Sequence, residues 1–254
     1  MRILTIRDLH GEIPKDIPKN IDLILLTGDL GKSDLMRSFS FRKLEEPNFR
    51  PTSRQQKQAY LQAYNSSVSA LNRLRRISPV FLVYGNVEST DEETKELIIE
   101  TGLRLPFLDK KIKSLEDVEN ISGKVKEVQG IKIAGYSYFV EKDWIERFRA
   151  GDKSYYLKHK EEDVKANKFF KILGNVDFLL LHQPPFGILD KVGSKAPKLY
   201  RNKHAGSSYI LNYIKRASPK YVICGHIHEA RGEKTFGKTR VINLGERNYK
   251  IIEL

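Results

Sequence analysis

Residues 222–231 read VICGHIHEAR. An apolar run stops at Gly225, and His226 and His228 follow one residue apart in a chain with only six histidines among 254 residues. A short, wholly apolar run closed by glycine is the pattern of a strand covered on both faces, as strands of parallel sheets are. Polar residues just past the end of such a strand stand where a ligand can reach them.

The same pattern recurs along the chain. Apolar runs at residues 3–6, 23–27, 80–84, 131–134, 178–181, 221–224, 241–244 and 251–254 predict strands. Five of them end in side chains that bind metals: Asp8 and His10, then Asp29, then Asn86, then His182, then His226 and His228. Parallel strands bring their C-terminal ends to one edge of a sheet, so these residues are expected to converge. Period-two strand geometry predicts that Asp8 and His10 share a side, as do His226 and His228.

Helical patterns lie between some of the runs. Leu61, Tyr64, Val68, Leu71, Leu74 and Ile77 step by three or four, which predicts a helix over residues 54–77 with Arg73, Arg75 and Arg76 on its solvated side. Thr90 and Glu93 form a capping box and Gly102 is placed to end the helix they start. Further helices are expected over 154–173 and 207–216. Residues 36–50 and 190–205 are basic, aromatic-bearing and aperiodic, and read as surface loops. With no repeat, low-complexity tract or linker, the pattern predicts one α/β domain over residues 1–254, layered around a continuous core.

Composition narrows the setting. Hydrophobic residues make up 40% and charged residues 30%, the balance of a globular protein with an ion-rich surface. The opening MRILTIRDLHGEI is too soon interrupted by charge for a signal peptide, and no run is long enough to span a membrane, so a cytoplasmic protein is expected. Cys224, the only cysteine, reads as a buried thiol in a reducing compartment. A net charge of +13 favours polyanionic partners, nucleic acid or phosphorylated molecules among them.

Taken singly, Asp8, Asp29 and Asn86 are ordinary turn formers and His182 an ordinary core histidine. Five such sites in order, each behind an apolar run, make coincidence a poor account of the set. Two carboxylates, four imidazoles and one amide oxygen exceed what one tetrahedral zinc needs and suit two divalent ions sharing a carboxylate, roughly 3.5 to 4 Å apart. Two dications, less two carboxylates and a bridging hydroxide, leave about +1, which favours a phosphate guest.

At this point DLHG, GDL, GN, H-x-PP and GHIH, with the closing Val241–Gly245 stretch VINLG, resemble the calcineurin-like metallophosphoesterase superfamily, phosphodiesterase-like bacterial and archaeal members in particular. The resemblance covers nearly the whole chain. It implies an αββα sandwich, two β-sheets flanked by helices, with two metals at the strand ends. It also implies that Asp8, His10, Asp29 and His228 hold one metal and that Asn86, His182 and His226 hold the other, with Asp29 bridging. A water activated by both ions would then attack phosphorus. Manganese is the first expectation, with iron, zinc and nickel as alternatives.

Two departures from the family pattern bear on chemistry. Many members carry histidine after the asparagine, a group held to assist the leaving group, where this chain has Val87. His204, ahead of an expected helix start, is the candidate replacement. The arginine that follows GD in phosphoprotein phosphatases is absent after Asp29, which disfavours phosphoprotein substrates. The readings left standing are a metal-dependent phosphodiesterase, a nuclease, and a non-catalytic scaffold of the same fold; the oligomeric state is left open.

Overall fold

The computed structural model describes residues 1–194 and 196–254, Leu44 by its backbone only; Lys195, in the predicted loop 190–205, lies outside the described residues. Two mixed sheets pack face to face with helices outside each, an α/β sandwich. In the first sheet β1 (Arg2–Arg7), β2 (Leu23–Leu26), β3 (Val80–Leu82) and β4 (Val118–Asn120) run parallel, and the C-terminal β11 (Asn248–Glu253) pairs antiparallel with β1. In the second, β6 (Ile131–Tyr136), β7 (Phe178–Leu181), β8 (Tyr221–Cys224) and β10 (Thr239–Asn243) are parallel. Antiparallel β5 (Lys124–Val128) and β9 (Gly232–Phe236) form its edges.

Alternation sorts each strand between two cores. Ile3, Leu23, Leu25, Phe178, Leu180 and Ile223 meet between the sheets. Their neighbours Leu4, Ile6, Ile24 and Leu26 face outward onto α2 (Ser53–Leu74) and α4 (Leu108–Lys113), while Leu179, Leu181 and Val222 face α6 (Lys153–Ile172) and α7 (Ser208–Ala217). Both faces of the central strands are therefore dry, which is why their sequences are unbroken apolar runs.

The well-signalled helices lie close to where the sequence predicts them. Thr52 and Gln55 cap α2, and Thr90 and Glu93 cap α3 (Asp91–Thr101), which Gly102 ends in the left-handed region at φ 67°. The 36–50 stretch departs from expectation: α1 (Asp34–Glu45) fills most of it, packed against α2. Its N-cap Ser33 makes no capping hydrogen bond and Phe41 stays half exposed, so neither start signal nor clean apolar stripe marks the helix in sequence. α5 (Lys142–Phe148) also lacks a side-chain cap and was not predicted. The 190–205 stretch is a loop in its described residues, its two arms tied by a bridge between Lys191 and His204 and by backbone hydrogen bonds between Val192 and Lys203 and between Ala205 and Asp190. Among the described residues no helix is long and apolar enough to cross a membrane.

Candidate metal centre

The C-terminal ends of β1, β2, β3, β7 and β8 meet at one edge of the sandwich, and the structure brings all seven predicted ligand residues together there. They are not held by strand periodicity. Asp8, His10, Asp29 and His226 take φ values of 40°, 44°, 49° and 70°, and His228 opens a short 3-10 turn. Non-glycine residues in the left-handed region cost on the order of 1 kcal/mol or more each, and a cluster of them marks a site whose surroundings impose the geometry. Left-handed turns after β1, β2 and β8 set where these side chains point.

One group of atoms gathers around Asn86. His182 Nε2 lies 3.1 Å from Asn86 Oδ1 and 3.2 Å from His226 Nδ1, which is 3.0 Å from the same Oδ1. His182 Nδ1 donates to the Thr27 carbonyl at 2.8 Å, which leaves Nε2 with a lone pair facing the Asn86 oxygen. Two acceptors at that distance repel unless a cation lies between them. The separations match the ~3.4 Å edge of a tetrahedron built with bonds of about 2.1 Å.

A second group gathers around Asp8. His228 Nε2 is 3.0 Å from Asp8 Oδ2, and the His10 and His228 rings meet edge-on at 5.4 Å. Asp29 stands between the groups: Oδ1 is 3.7 Å from His182 Nε2 and Oδ2 is 4.0 Å from His10 Nε2. Asp8 Oδ1 and His10 Nε2 are buried without a hydrogen-bond partner. These orphaned ligand atoms fit a bound cation.

Electrostatics point the same way. Burial holds His182 and His226 down at about 4 and about 3, and lowers His10 as well, so the imidazoles are neutral and ready to ligate. Burial drives the Asp29 carboxyl well above its usual range, with the Asp8 and Glu88 charges adding to the rise. Burial also pushes Asp8 up, but the hydrogen bond with His228 and the Arg7 charge outweigh it and hold that carboxyl below the usual range. Three buried carboxyl groups, those of Asp8, Asp29 and Glu88, share one buried guanidinium, a shortage of positive charge that divalent ions would relieve.

Supporting residues that the sequence reading does not count among the ligands frame the centre. Glu88 accepts the backbone N–H groups of Asp29, Leu30 and Gly85 at 2.9, 2.6 and 2.9 Å, tying the β2 and β3 turns together. Arg7, fully buried, places Nη2 at 2.8 Å from Asp8 Oδ2 and donates through Nη1 to Asn243 of β10, joining the two sheets behind the site. Tyr138, just past β6, packs its ring 5.1 Å from His226 and 5.8 Å from His182. At Gly85 an added Cβ would stand 2.6 Å from the Asp29 nitrogen and 2.7 Å from His182 Cε1, so no side chain fits. Glu88 had a sequence signal in its place two residues after Asn86, in the same strand-end turn.

His204 is placed elsewhere. Its Nδ1 contacts the buried Asp190 carboxylate at 2.6 Å and its ring packs on Phe186. Among the described residues that line the cleft over the centre, Ala205 is present and His204 is not. That cleft has a volume of about 680 Å³ and opens onto His10, Asp29, Asn86, His226 and His228.

The profile of the calcineurin-like phosphoesterase family matches residues 2–230. The chain belongs to the calcineurin-like phosphoesterase family. A UPF0046 protein of Caenorhabditis elegans is 26% identical over 200 residues, 74% of this chain but 62% of its own length. The protein MJ1162 of Methanocaldococcus jannaschii is 22% identical over the full chain and 92% of its own. One solved structure superposes with a TM-score of 0.58 at 17% identity, over 99% of this chain and 94% of that one, which bears out the predicted fold. Membership supports a metal-dependent phosphoesterase, a hydrolase acting on phosphate esters.

Proposed function

We propose that this calcineurin-like phosphoesterase is a dinuclear phosphodiesterase, with Asp8, His10, Asp29 and His228 holding one ion and Asp29, Asn86, His182 and His226 the other. The observation that carries the reading is the division of the Asp29 carboxylate, one oxygen turned to each group of ligands. Two divalent ions, manganese first among them, would supply a water of lowered pKa as nucleophile and offset charge gathering on the phosphoryl oxygens.

The protein's own groups narrow the substrate. His182 and His226 present neutral nitrogens, and Glu88 fixes the turn that carries Asp29. Val87 is buried where many relatives have a histidine and can pass no proton to a leaving alkoxide, so esters with good leaving groups react best. A cleft of about 680 Å³ has room for substituents on both sides of a phosphodiester, whereas a monoester would fill one. His204, tied to Asp190 beyond the cleft lining, is given no part in the chemistry. The lone buried thiol suits a reducing, cytoplasmic setting.

The test is hydrolysis of bis(p-nitrophenyl) phosphate by chelator-treated protein to which manganese is returned. Activity is expected to need the metal and to vanish in Asp29→Ala and His226→Ala; full activity in either variant refutes the assignment. A second reading, cleavage of nucleic acid, is favoured by the exposed Arg37 on the cleft wall and the net charge of +13. It predicts binding that weakens steeply with salt. The scaffold reading has against it the orphaned ligand atoms of Asp8 and His10, and purified protein that takes up no manganese would revive it.

A further inference from the structure

The turn from β10 to β11 carries a carboxylate that the seven ligands leave unused. Gly245 bends the chain there in the left-handed region, at φ 79°, which glycine adopts without steric cost. Its N–H donates at 3.3 Å to Asn243 Oδ1, the oxygen that also accepts Arg7. Two residues on, the Arg247 N–H donates to the Asp8 carbonyl at 3.3 Å. The turn is thereby fastened to the backbone of one ligand residue, and Glu246, between the two anchors, meets another. Its Oε2 lies 3.5 Å from His228 Nδ1, while Oε1 faces Arg247 Nε at 3.6 Å. Arg247 is held in turn by Glu12, at 3.2 Å.

The two nitrogens of His228 face opposite neighbours. Nε2 is 3.0 Å from Asp8 Oδ2, on the side where Asp8, His10 and Asp29 gather, and Nδ1 is on the far edge of the ring, against Glu246. A neutral imidazole that ligates through Nε2 carries its proton on Nδ1, and that N–H needs an acceptor. Neutral groups serve two of the other ligand rings: His182 Nδ1 donates to the Thr27 carbonyl, and His10 Nδ1 faces the Ser33 hydroxyl at 3.3 Å. For His228 the acceptor within reach is a carboxylate.

We propose that Glu246 is a positioning residue for His228: it takes the ring proton at Nδ1, fixes the tautomer that turns Nε2 to the ion, and brings a further negative charge to that half of the centre. The inference rests on the metal-centre reading given above and not on the choice of a phosphodiester. At 3.5 Å the contact is an ion-pair distance, and a small rotation of a side chain that is 38% exposed closes it to a hydrogen bond. Donor atoms of His10, His228 and Glu246 also lie within 4.8 Å of one another, so Glu246 bound to the ion itself is the competing arrangement. The His228 ring, interposed between Glu246 and Asp8, favours the outer role.

Manganese titrated into chelator-treated protein, followed by calorimetry, reads the effect without any substrate. In Glu246→Ala the dissociation constant of one ion is expected to rise by about tenfold or more, with Glu246→Gln, which keeps an acceptor but no charge, between Ala and wild type. The urea midpoint in EDTA should stay where it is, since the side chain is partly exposed and acts through the ion. Correlation spectra of zinc-loaded protein isotope-labelled at histidine read the ring directly. His228 should show a bonded Nδ1–H, shifted upfield in Glu246→Gln and lost to solvent exchange in Glu246→Ala. Wild-type affinity in Glu246→Ala, or an affinity loss matched by a lower midpoint in EDTA, would overturn the proposal. Glu246→Gln binding as tightly as wild type would overturn the part assigned to charge. Weakened binding with the His228 Nδ1–H indifferent to both variants would make Glu246 a ligand and overturn its outer role. The expected pattern in protein that hydrolyses no phosphodiester upholds Glu246 and sinks the substrate reading, whereas protein that takes up no manganese sinks both.

Discussion

Replacing Arg7 by methionine removes the fully buried guanidinium behind Asp8 while keeping much of its volume. At an effective dielectric near 20, opposite charges at the observed 2.8 Å attract by about 6 kcal/mol, and part of that is spent on desolvating the guanidinium. Taking away one partner leaves Asp8, with no exposed surface, as an uncompensated charge, for which losses of about 3–5 kcal/mol are usual. The Arg7–Asn243 bond between the sheets goes with it. In a chain of 254 residues that corresponds to a fall in Tm on the order of 10 °C.

The condition matters as much as the size. A divalent ion at Asp8 supplies the missing counter-charge, so the gap between Arg7→Met and wild type should be widest in chelator and narrow in excess manganese. It should also depend on pH. In the wild type the Asp8 carboxyl is held below its usual range, so its contribution is present above the ordinary carboxylate pKa and lost as pH falls through the depressed folded value. In the variant burial acts with less opposition, the carboxyl moves upward, and the gap shrinks as acid protonates it. Thermal and urea unfolding with EDTA and with manganese, at neutral and acid pH, measure all three effects. A chelator-state difference below about 1 kcal/mol, or one that metal leaves unchanged, would refute the view that Arg7 serves as counter-ion to an unfilled cation site.

Two further outcomes are expected. Glu88→Ala strands three buried N–H groups at about 1–3 kcal/mol each, so it should lower stability by several kcal/mol and weaken metal binding tenfold or more; unchanged urea midpoint and metal content would show that the β2 and β3 turns hold themselves. Burial raises the Cys224 thiol to about 12, so native protein at pH 8 should not react with Ellman's reagent while one thiol per chain appears in denaturant; fast native reaction would count against the packing of β8.

What could be read in the sequence, and what could not, divides along physical lines. Strands β1, β2, β7 and β8 announce themselves because both faces are dry, α2 because its apolar stripe is local, and α3 because its capping box is. The edge strands β5 (KVKEV) and β9 (GEKTF) carry charge on an open face, and α1 and α5 start without a side-chain cap, so neither periodicity nor start signal marks them. The ligand side chains follow the same division: each is legible because it sits directly behind a dry strand. The geometry of Asp8, His10, Asp29 and His226 was not legible, since left-handed turns and not strand alternation set it. Glu88 acts across 58 and 59 residues on Leu30 and Asp29, and Arg7 across 236 on Asn243; one-dimensional spacing carries no trace of such pairings. Phe41, Trp144 and Tyr200, which line the cleft over the centre, come from two uncapped helices and an irregular loop, the segments least legible in sequence. The strand-end pattern thus identifies the chemistry early because chemistry must sit on the most rigid part of the fold. The lining of the cleft, built from weakly signalled segments beside that edge, becomes readable only once the sandwich is assembled.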